Sequence, residues 1–268
     1  MNLNSENICG ENRITTALLL AAGTGSRLLP LTQDSPKCLT LVNEISILAR
    51  LIESLKEQGF KRLVVVTGHL QGSIEDFLGT KSDDMVIEYV HSPLYKTTNN
   101  IYSLWMARKI IDEPFVLLES DLVFDTTLLD EMIYPDRIAV AGIADWMNGT
   151  TVTINSGNDV IEFQTNTLPF RDTTKYKTVN IYSFSLGSWR AILKRLEQHI
   201  SEGKVNGYYE TVFSELVDEG VLSLQAISFD SMPWYEIDTI ADLAEAVKLF
   251  PKRGVEVSIP ESLTSEVA

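Results

Sequence analysis

Residues 18–39 read LLLAAGTGSRLLPLTQDSPKCL. An apolar run ends at Leu20, and the small residues Ala21, Ala22, Gly23, Thr24, Gly25 and Ser26 follow. Arg27 comes next, and Lys37 stands further along. A loop without bulky side chains lets backbone N–H groups approach a phosphate closely. Arg27 and Lys37 supply the positive charge that a polyphosphate needs. The stretch therefore predicts a strand, then a phosphate-binding loop, in an α/β chain.

Two common glycine motifs compete for this loop. The dinucleotide fingerprint requires a third glycine where Leu28 stands, and the Walker loop requires a Gly-Lys-Ser/Thr closure that is missing here. The pattern present is G-x-G-x-R-L-x-P-x-T-x-x-x-P-K-x-L, met by Gly23, Gly25, Arg27, Leu28, Pro30, Thr32, Pro36, Lys37 and Leu39. It resembles the signature loop of the nucleotidyltransferases that act on sugar phosphates and alditol phosphates. A tight strand-to-helix turn that binds nothing would not account for Arg27 and Lys37.

The chain has 268 residues, is 44% hydrophobic and carries a formal net charge of −15. That suits one large α/β domain or two small ones, and it argues against nucleic-acid binding through a basic face. An anionic nucleotide must then be held by a few local cations, helix ends or metal ions. Cys9 and Cys38 form no metal-type spacing, so a reduced, cytoplasmic setting is expected, with Cys38 a small buried thiol. The polar start MNLNSENICGENR has no apolar signal core, and no run reaches the ~18 apolar residues of a membrane span.

Strand and helix patterns alternate through the first half. Strands are expected over 16–21, 62–67, 86–90 and 114–120. Helices are expected from Ile45 to the Gly59 stop, over 74–78 and over 99–111. Such alternation predicts a Rossmann-like, mostly parallel sheet flanked by helices, with ligands at the carboxyl ends of the strands. The second half is richer in strands. A hairpin over 150–154 and 160–164 turns at Ser-Gly-Asn-Asp, and strands are expected over 178–184, 221–229 and 234–238. Helices are expected over 188–202, 208–219 and 239–250, the last capped by Thr239. One domain is expected over 15–250, with a nucleotide half to about 145 and a smaller, β-rich acceptor half after it. Residues 1–14 read as a polar extension. Residues 251–268 read as a flexible tail, or as a linker to a further domain.

Asp121 and Asp238 stand at the ends of apolar strands, in VLLESDLVF and WYEIDT. Mg²⁺ favours one or two carboxylates together with phosphate oxygens, so the two would form a metal site if both reach the mouth of the glycine loop. Alternatively, each caps the element that follows. NNIYSL at 99–104, Asp121, and YEID at 235–238 resemble the phosphocholine cytidylyltransferases and their relatives acting on 2-aminoethylphosphonate, over about residues 17–250. The resemblance implies a nucleotide-diphospho-sugar transferase fold, CTP as donor, and Mg²⁺ on Asp121 and Asp238. Glu119 stands as the first acid of an acid-x-acid triplet.

It also implies that the nucleotide lies along Leu20–Gly25, Arg27, Lys37 and Ser120, with its pyrimidine near Thr67, Gly68, Thr98 and Asn99. Asn99 has an equal claim as a helix N-cap. Arg27, Lys37, Asp121 and Asp238 form the expected catalytic set. An anionic phosphate or phosphonate oxygen attacks the α-phosphorus in line and pyrophosphate leaves, so positioning and charge stabilisation carry the reaction.

KTVNIYSFS at 177–185 resembles the aminoethylphosphonate enzymes and implies Lys177, Asn180 and Tyr182 in the acceptor pocket. Tyr182 on an alternating strand also suits a core position. A primary ammonium asks for carboxylates, and Asp145, Glu210 and Glu236 are available. A quaternary ammonium asks for an aromatic cage, for which Trp146 is a candidate. The acceptor is thus a small phosphonate or phosphoalcohol, 2-aminoethylphosphonate foremost. Phosphocholine, a sugar 1-phosphate, or a silent nucleotide-binding regulatory role are the alternatives.

Overall fold

A computed structural model describes residues 13–164 and 175–251. Cys9, residues 1–12 of the expected extension over 1–14, and residues 252–268 of the expected tail over 251–268 lie outside the described residues. The first half contains β1 (Thr16–Ala21), β2 (Leu41–Val42), β3 (Ile45–Ser46), α1 (Ile47–Glu57), β4 (Arg62–Thr67), α2 (Gln71–Leu78), β5 (Lys81–Ser82), β6 (Met85–His91), α3 (Asn100–Met106) and β7 (Phe115–Glu119). The second half contains β8 (Leu122–Phe124), β9 (Arg137–Gly142), β10 (Thr151–Ile154), β11 (Val160–Gln164), β12 (Lys175–Phe184), α4 (Leu186–Ser201), α5 (Glu210–Asp218), β13 (Gln225–Ser228), β14 (Trp234–Glu236) and α6 (Ile240–Leu249).

One ten-stranded sheet runs through both halves, in the order β11-β10-β12-β7-β1-β4-β6-β5, with β9 paired to β12 and β13 paired to β9. Its centre is parallel: β1 pairs β4 and β7, and β4 pairs β6, all in the same direction. β12 joins β7 antiparallel, and through it the second half extends the same sheet. Every residue of β1 is buried, because helices cover both faces, and this is why the strand reads as an unbroken apolar run. Alternate side chains serve opposite cores. Ala17, Leu19 and Ala21 pack with Leu48, Leu51, Leu55 and Ile74 from α1 and α2. Leu18 and Leu20 pack with Leu104, Trp189, Ile192 and Phe213 from α3, α4 and α5.

A third, smaller cluster joins Leu28, Val42, Ile47, Val123, Tyr235, Ile237, Ala246 and Phe250. It binds the loop after β1 to the β8–β14 ribbon and to α6, and it sets the position of the site.

Four elements depart from the expectations. β9, RIAVAG, is flanked by β12 and β13 in the sheet. Its alanines and glycine carry little strand preference, and pairing on both sides makes it a strand. β8 follows Asp121 where a simple strand end is expected, and it pairs antiparallel with β14. The helix expected from Ile45 starts at Ile47, after a short β2–β3 hairpin. The Ser46 hydroxyl caps it by accepting from the Ala49 N–H. The strand expected over 221–229 narrows to Gln225–Ser228. Among the described residues no helix is long and apolar enough to cross a membrane.

Candidate active site

The carboxyl ends of β1 and β7 open into one cavity of about 490 Å³. Leu20, Ala22, Gly23, Gly25, Arg27 and Lys37 line one side of it. Gly25 adopts φ 61°, and a Cβ there would sit 3.0 Å from Lys37 Cβ and 3.1 Å from Thr32 Cγ2. Conformation and packing both require glycine at that position. The Thr32 hydroxyl donates to the Gly25 carbonyl at 2.8 Å and holds the loop in its curve. A Cβ on Gly23, in contrast, would meet nothing within 4 Å. No internal packing demands glycine at 23.

The charged centre lies beside this loop. Lys37 Nζ donates to Asp121 Oδ2 and to Asp238 Oδ1, each at 2.7 Å. Arg27 Nη2 donates to the same Asp238 oxygen at 2.7 Å. The Lys37 and Asp238 side chains are 14% and 11% exposed, whereas that of Arg27 is 62% exposed, so only the first pair is shielded from water. Burial works against the lysine charge, but Asp121 and Asp238 outweigh it and hold the Lys37 pKa above its ordinary value. Burial pushes the neighbouring Cys38 thiol up to about 12, which keeps it neutral and unreactive.

Neither aspartate caps a helix. Thr239 caps α6 and Asp242 completes its capping box, leaving the Asp238 carboxylate free to face Lys37. After Asp121 the chain enters β8 rather than a helix. The β8–β14 register sets Leu122 opposite Glu236, and the Ile237 N–H donates to the Asp121 carbonyl at 3.0 Å. That pairing brings the two aspartates together. Asp121, Glu236 and Asp238 each offer a carboxylate oxygen, all within 4.8 Å of one another. Asp121 Oδ1 is buried without a hydrogen-bond partner. A hard divalent cation suits three oxygen donors and an orphaned carboxylate oxygen, so the residues fit Mg²⁺. Glu236 enters as a third donor beyond the two aspartates that the sequence points to.

Glu119, Lys177, Asn180, Tyr208, Glu210 and Glu236 also line the cavity. Lys177 is 2% exposed, and its Nζ lies 3.6 Å from Glu236 Oε2. Asn180 adopts φ 61° at the register shift between β12 and β9. The irregularity re-aims its side chain, which donates to Glu236 Oε1 at 3.4 Å and accepts from the Thr178 hydroxyl at 3.1 Å. Glu119 accepts from Asn100 Nδ2 at 3.2 Å, and Asn100 Oδ1 accepts from the Tyr209 N–H at 3.0 Å. Burial, then the neighbouring Asp121 and Glu210, push the Glu119 pKa up to about 8. Burial pushes Glu210 up to about 7.

Of the residues expected around a nucleotide, Leu20, Ala22, Gly23, Gly25, Arg27, Lys37, Thr98, Asn99 and Ser120 line the cavity. Ala21, Thr24, Thr67 and Gly68 are not among its lining residues. Ala21 points into the core, and Thr24 is exposed on the loop. Thr67 is fully buried. A Cβ on Gly68 would lie 2.7 Å from the Ala22 carbonyl oxygen, so this glycine allows close backbone packing under the loop. Asn99 caps α3 by accepting from the Asn100 N–H, while also lining the cavity.

Of the acceptor residues, Lys177, Asn180, Glu210 and Glu236 line the cavity, and Asp145 and Tyr182 do not. Asp145 lies on an exposed loop. Tyr182 is wholly buried among Phe184, Tyr209 and Phe213, because the alternation of β12 turns it to the core. Trp146 stacks on Tyr235 with centroids 4.2 Å apart, away from the lining. Asn100 and Ser103, both within the NNIYSL stretch at 99–104, line the site as well, and Tyr95 and Tyr208 line it without a sequence signal of their own.

The nucleotidyl transferase family profile matches residues 16–252. The chain is 30% identical over 257 residues to CMP-5'-(3-aminopropyl)phosphonate synthase of Streptomyces rubellomurinus. The match takes in 92% of this chain but only 40% of that longer protein. It is 26% identical to 2-aminoethylphosphonate cytidylyltransferase of Lancefieldella rimae, over 86% of this chain and 91% of that one. Among solved structures, the CTP:phosphocholine cytidylyltransferase of Streptococcus pneumoniae superimposes with a TM-score of 0.74 at 21% identity, covering 88% of this chain and 98% of that one. The mostly parallel core and its flanking helices are thus the nucleotide-diphospho-sugar transferase fold, and the chain belongs to the nucleotidyl transferase family of enzymes.

Proposed function

We propose that the protein transfers CMP from CTP to a small phosphonate or phosphoalcohol, with 2-aminoethylphosphonate as the acceptor, and releases pyrophosphate. One observation carries this reading. Lys37 and Arg27 converge with Asp121, Glu236 and Asp238 at the mouth of a glycine loop. The likeness to relatives named for phosphonate cytidylyl transfer supports the donor and the acceptor class.

In this reading the loop around Gly23 and Gly25 cradles the triphosphate through backbone N–H groups. Arg27 neutralises the outer phosphates, and Lys37 the phosphate that reacts. Ser120 lines the nucleotide side, and Thr98 and Asn99 flank the base. Asp121, Glu236 and Asp238 would hold Mg²⁺, which when bound polarises the phosphate oxygens and neutralises developing charge. Lys177 attracts the acceptor's anionic head. An acceptor oxygen forms the new bond to the α-phosphorus, and the α–β anhydride bond breaks. Its electron pair leaves on the pyrophosphate oxygen. The nucleophile is already an anion, so no residue need act as a base. The unpaired Cys38 agrees with a cytoplasmic setting.

Two observations favour this acceptor over phosphocholine or a sugar phosphate. Trp146 packs on Tyr235, and among the described residues no tryptophan joins Tyr95 and Tyr208 in the cavity lining, which disfavours a quaternary-ammonium cage. The lining is acidic, which suits an amine better than a neutral sugar.

The test is pyrophosphate release from CTP, UTP, dTTP, ATP and GTP, crossed with 2-aminoethylphosphonate, phosphoethanolamine, phosphocholine and glucose 1-phosphate. Release with CTP and the amine acceptors is expected. No release with any pair would sink the enzymatic reading, and release with UTP and glucose 1-phosphate alone would transfer the chain to sugar activation.

A further inference from the structure

Among the acids lining the cavity, Asp121 and Glu210 each leave one carboxylate oxygen unpartnered, but Asp121 is ion-paired through its other oxygen. Among the described residues, Asp121 and Asp238 are paired with Lys37, Glu236 lies 3.6 Å from Lys177, and Glu119 accepts from Asn100. Glu210 is only 4% exposed and lines the cavity, yet its Oε2 is buried with no hydrogen-bond partner. A buried carboxylate oxygen without a donor is costly. A donor arriving with the ligand removes that cost.

The surroundings define the donor. Lys177 lines the cavity beside Glu236, and in the reading above it attracts the anionic part of an acceptor. Lys177 favours the charged form of Glu210, but no donor reaches Glu210 Oε2. Aromatic faces are scarce: Tyr95 and Tyr208 line the cavity, while Tyr182 and Tyr209 are fully buried behind it. A trimethylated nitrogen has no N–H to offer Glu210 and would find few ring faces to replace it. A primary ammonium offers three N–H donors.

We propose that Glu210 Oε2 accepts a hydrogen bond from a primary ammonium on the acceptor, making the enzyme selective for unmethylated amines over trimethylated or amine-free analogues. This rests on the cytidylyltransferase reading above and names the acceptor class and the residue that reads it. Glu210 touches the acceptor in this scheme but not the reacting atoms.

Two matched pairs of acceptors test it on the unmodified protein. Phosphoethanolamine and phosphocholine differ only in N-methylation, and 2-aminoethylphosphonate and ethylphosphonate differ only in the amine. With CTP and Mg²⁺, kcat/KM should favour the primary amine in both pairs by at least about tenfold, since the wrong partner leaves a buried polar group unpaired. In Glu210→Gln both preferences should shrink by about tenfold, chiefly through KM for the amine, with KM for CTP unchanged. Glu210→Asp should recover part of the preference. Equal use of the two members of each pair by the native protein would overturn the role of Glu210 while leaving cytidylyl transfer intact. So would an unchanged preference in Glu210→Gln. No pyrophosphate from any pair would overturn the underlying reading, and this inference with it.

Discussion

Lys37 Nζ lies 2.7 Å from Asp238 Oδ1, joining residues separated by 201 positions in the chain. The same ammonium reaches Asp121 at 2.7 Å. It thus occupies, with its own charge, the carboxylate centre that fits a divalent cation. In the proposed reading, the phosphate oxygens of a bound nucleotide would give Lys37 an alternative partner and free the acids for which a metal alone must compete.

Replacing Lys37 with methionine separates these roles. Turnover should fall by roughly 10²–10³, the scale of losing a cation at developing transition-state charge. Asp121 loses its counter-ion while Asp238 keeps Arg27, which should cost about 3 kcal/mol of stability. Mn²⁺ binding without nucleotide should tighten relative to the native protein, and Mn²⁺ should recover the lost thermal stability. Calorimetric titration and melting curves measure both. Unchanged Mn²⁺ affinity would mean that the lysine and the metal do not share the centre.

Asp121→Asn and Asp238→Asn should each weaken Mn²⁺ binding by at least about tenfold and reduce turnover in step, because each removes a hard anionic donor. Glu236→Gln should weaken binding too, because its carboxylate oxygen lies within 4.8 Å of those of the two aspartates. Paramagnetic relaxation of water protons reports the affinity without requiring turnover. Full-strength binding in the Asp121 variant would exclude it as a ligand.

The two loop glycines should respond differently to alanine. Gly25→Ala puts a side chain at φ 61° and against Lys37 and Thr32, and should cost about 1–2 kcal/mol of stability. Gly23→Ala meets no atom within 4 Å and should leave stability within about 0.5 kcal/mol. Its KM for CTP should nevertheless rise, because the added methyl stands where the nucleotide approaches. Denaturant unfolding paired with CTP kinetics distinguishes a packing glycine from a ligand glycine.

Glu210 has a definite pH signature. Burial holds its folded pKa at about 7, above the ordinary ~4.3 of an unfolded glutamate. Between those values the folded state binds more protons than the unfolded one, so the contribution of Glu210 to stability is full below about 4.3 and is lost as pH rises through 7. Native protein should therefore lose stability relative to Glu210→Gln between about pH 5 and 7.5, by about 1–3 kcal/mol. Urea unfolding across that range checks the sign. A difference that grows in the opposite direction would show that the carboxylate is stabilised in its charged form.

Much of this fold is local enough to read directly. β1 and β4 fall where their apolar runs predict, and Thr239 caps α6 as its position ahead of an apolar stripe predicts. The glycine loop is also legible, because Gly23, Gly25, Arg27 and Lys37 lie within one short stretch whose spacing carries the chemistry. β9 is not legible, since Arg-Ile-Ala-Val-Ala-Gly acquires its strand form from β12 and β13 on either side. Nor is the difference between Tyr182 and Asn180. Both sit on β12, yet one left-handed residue at a register shift turns Asn180 toward Glu236 while Tyr182 enters the core.

The sequence by itself determined that this chain carries a glycine loop followed by two cations, and two acids at strand ends. Only the tertiary structure decided that these groups meet, that Glu236 joins the aspartates, and that Asp145 and Trp146 stand away from the cavity lining. The reason is distance along the chain. Lys37 is 84 residues from Asp121 and 201 from Asp238. Their meeting depends on the β8–β14 pairing and on the cluster around Leu28 and Ile237, and packing across such separations leaves no local pattern to read.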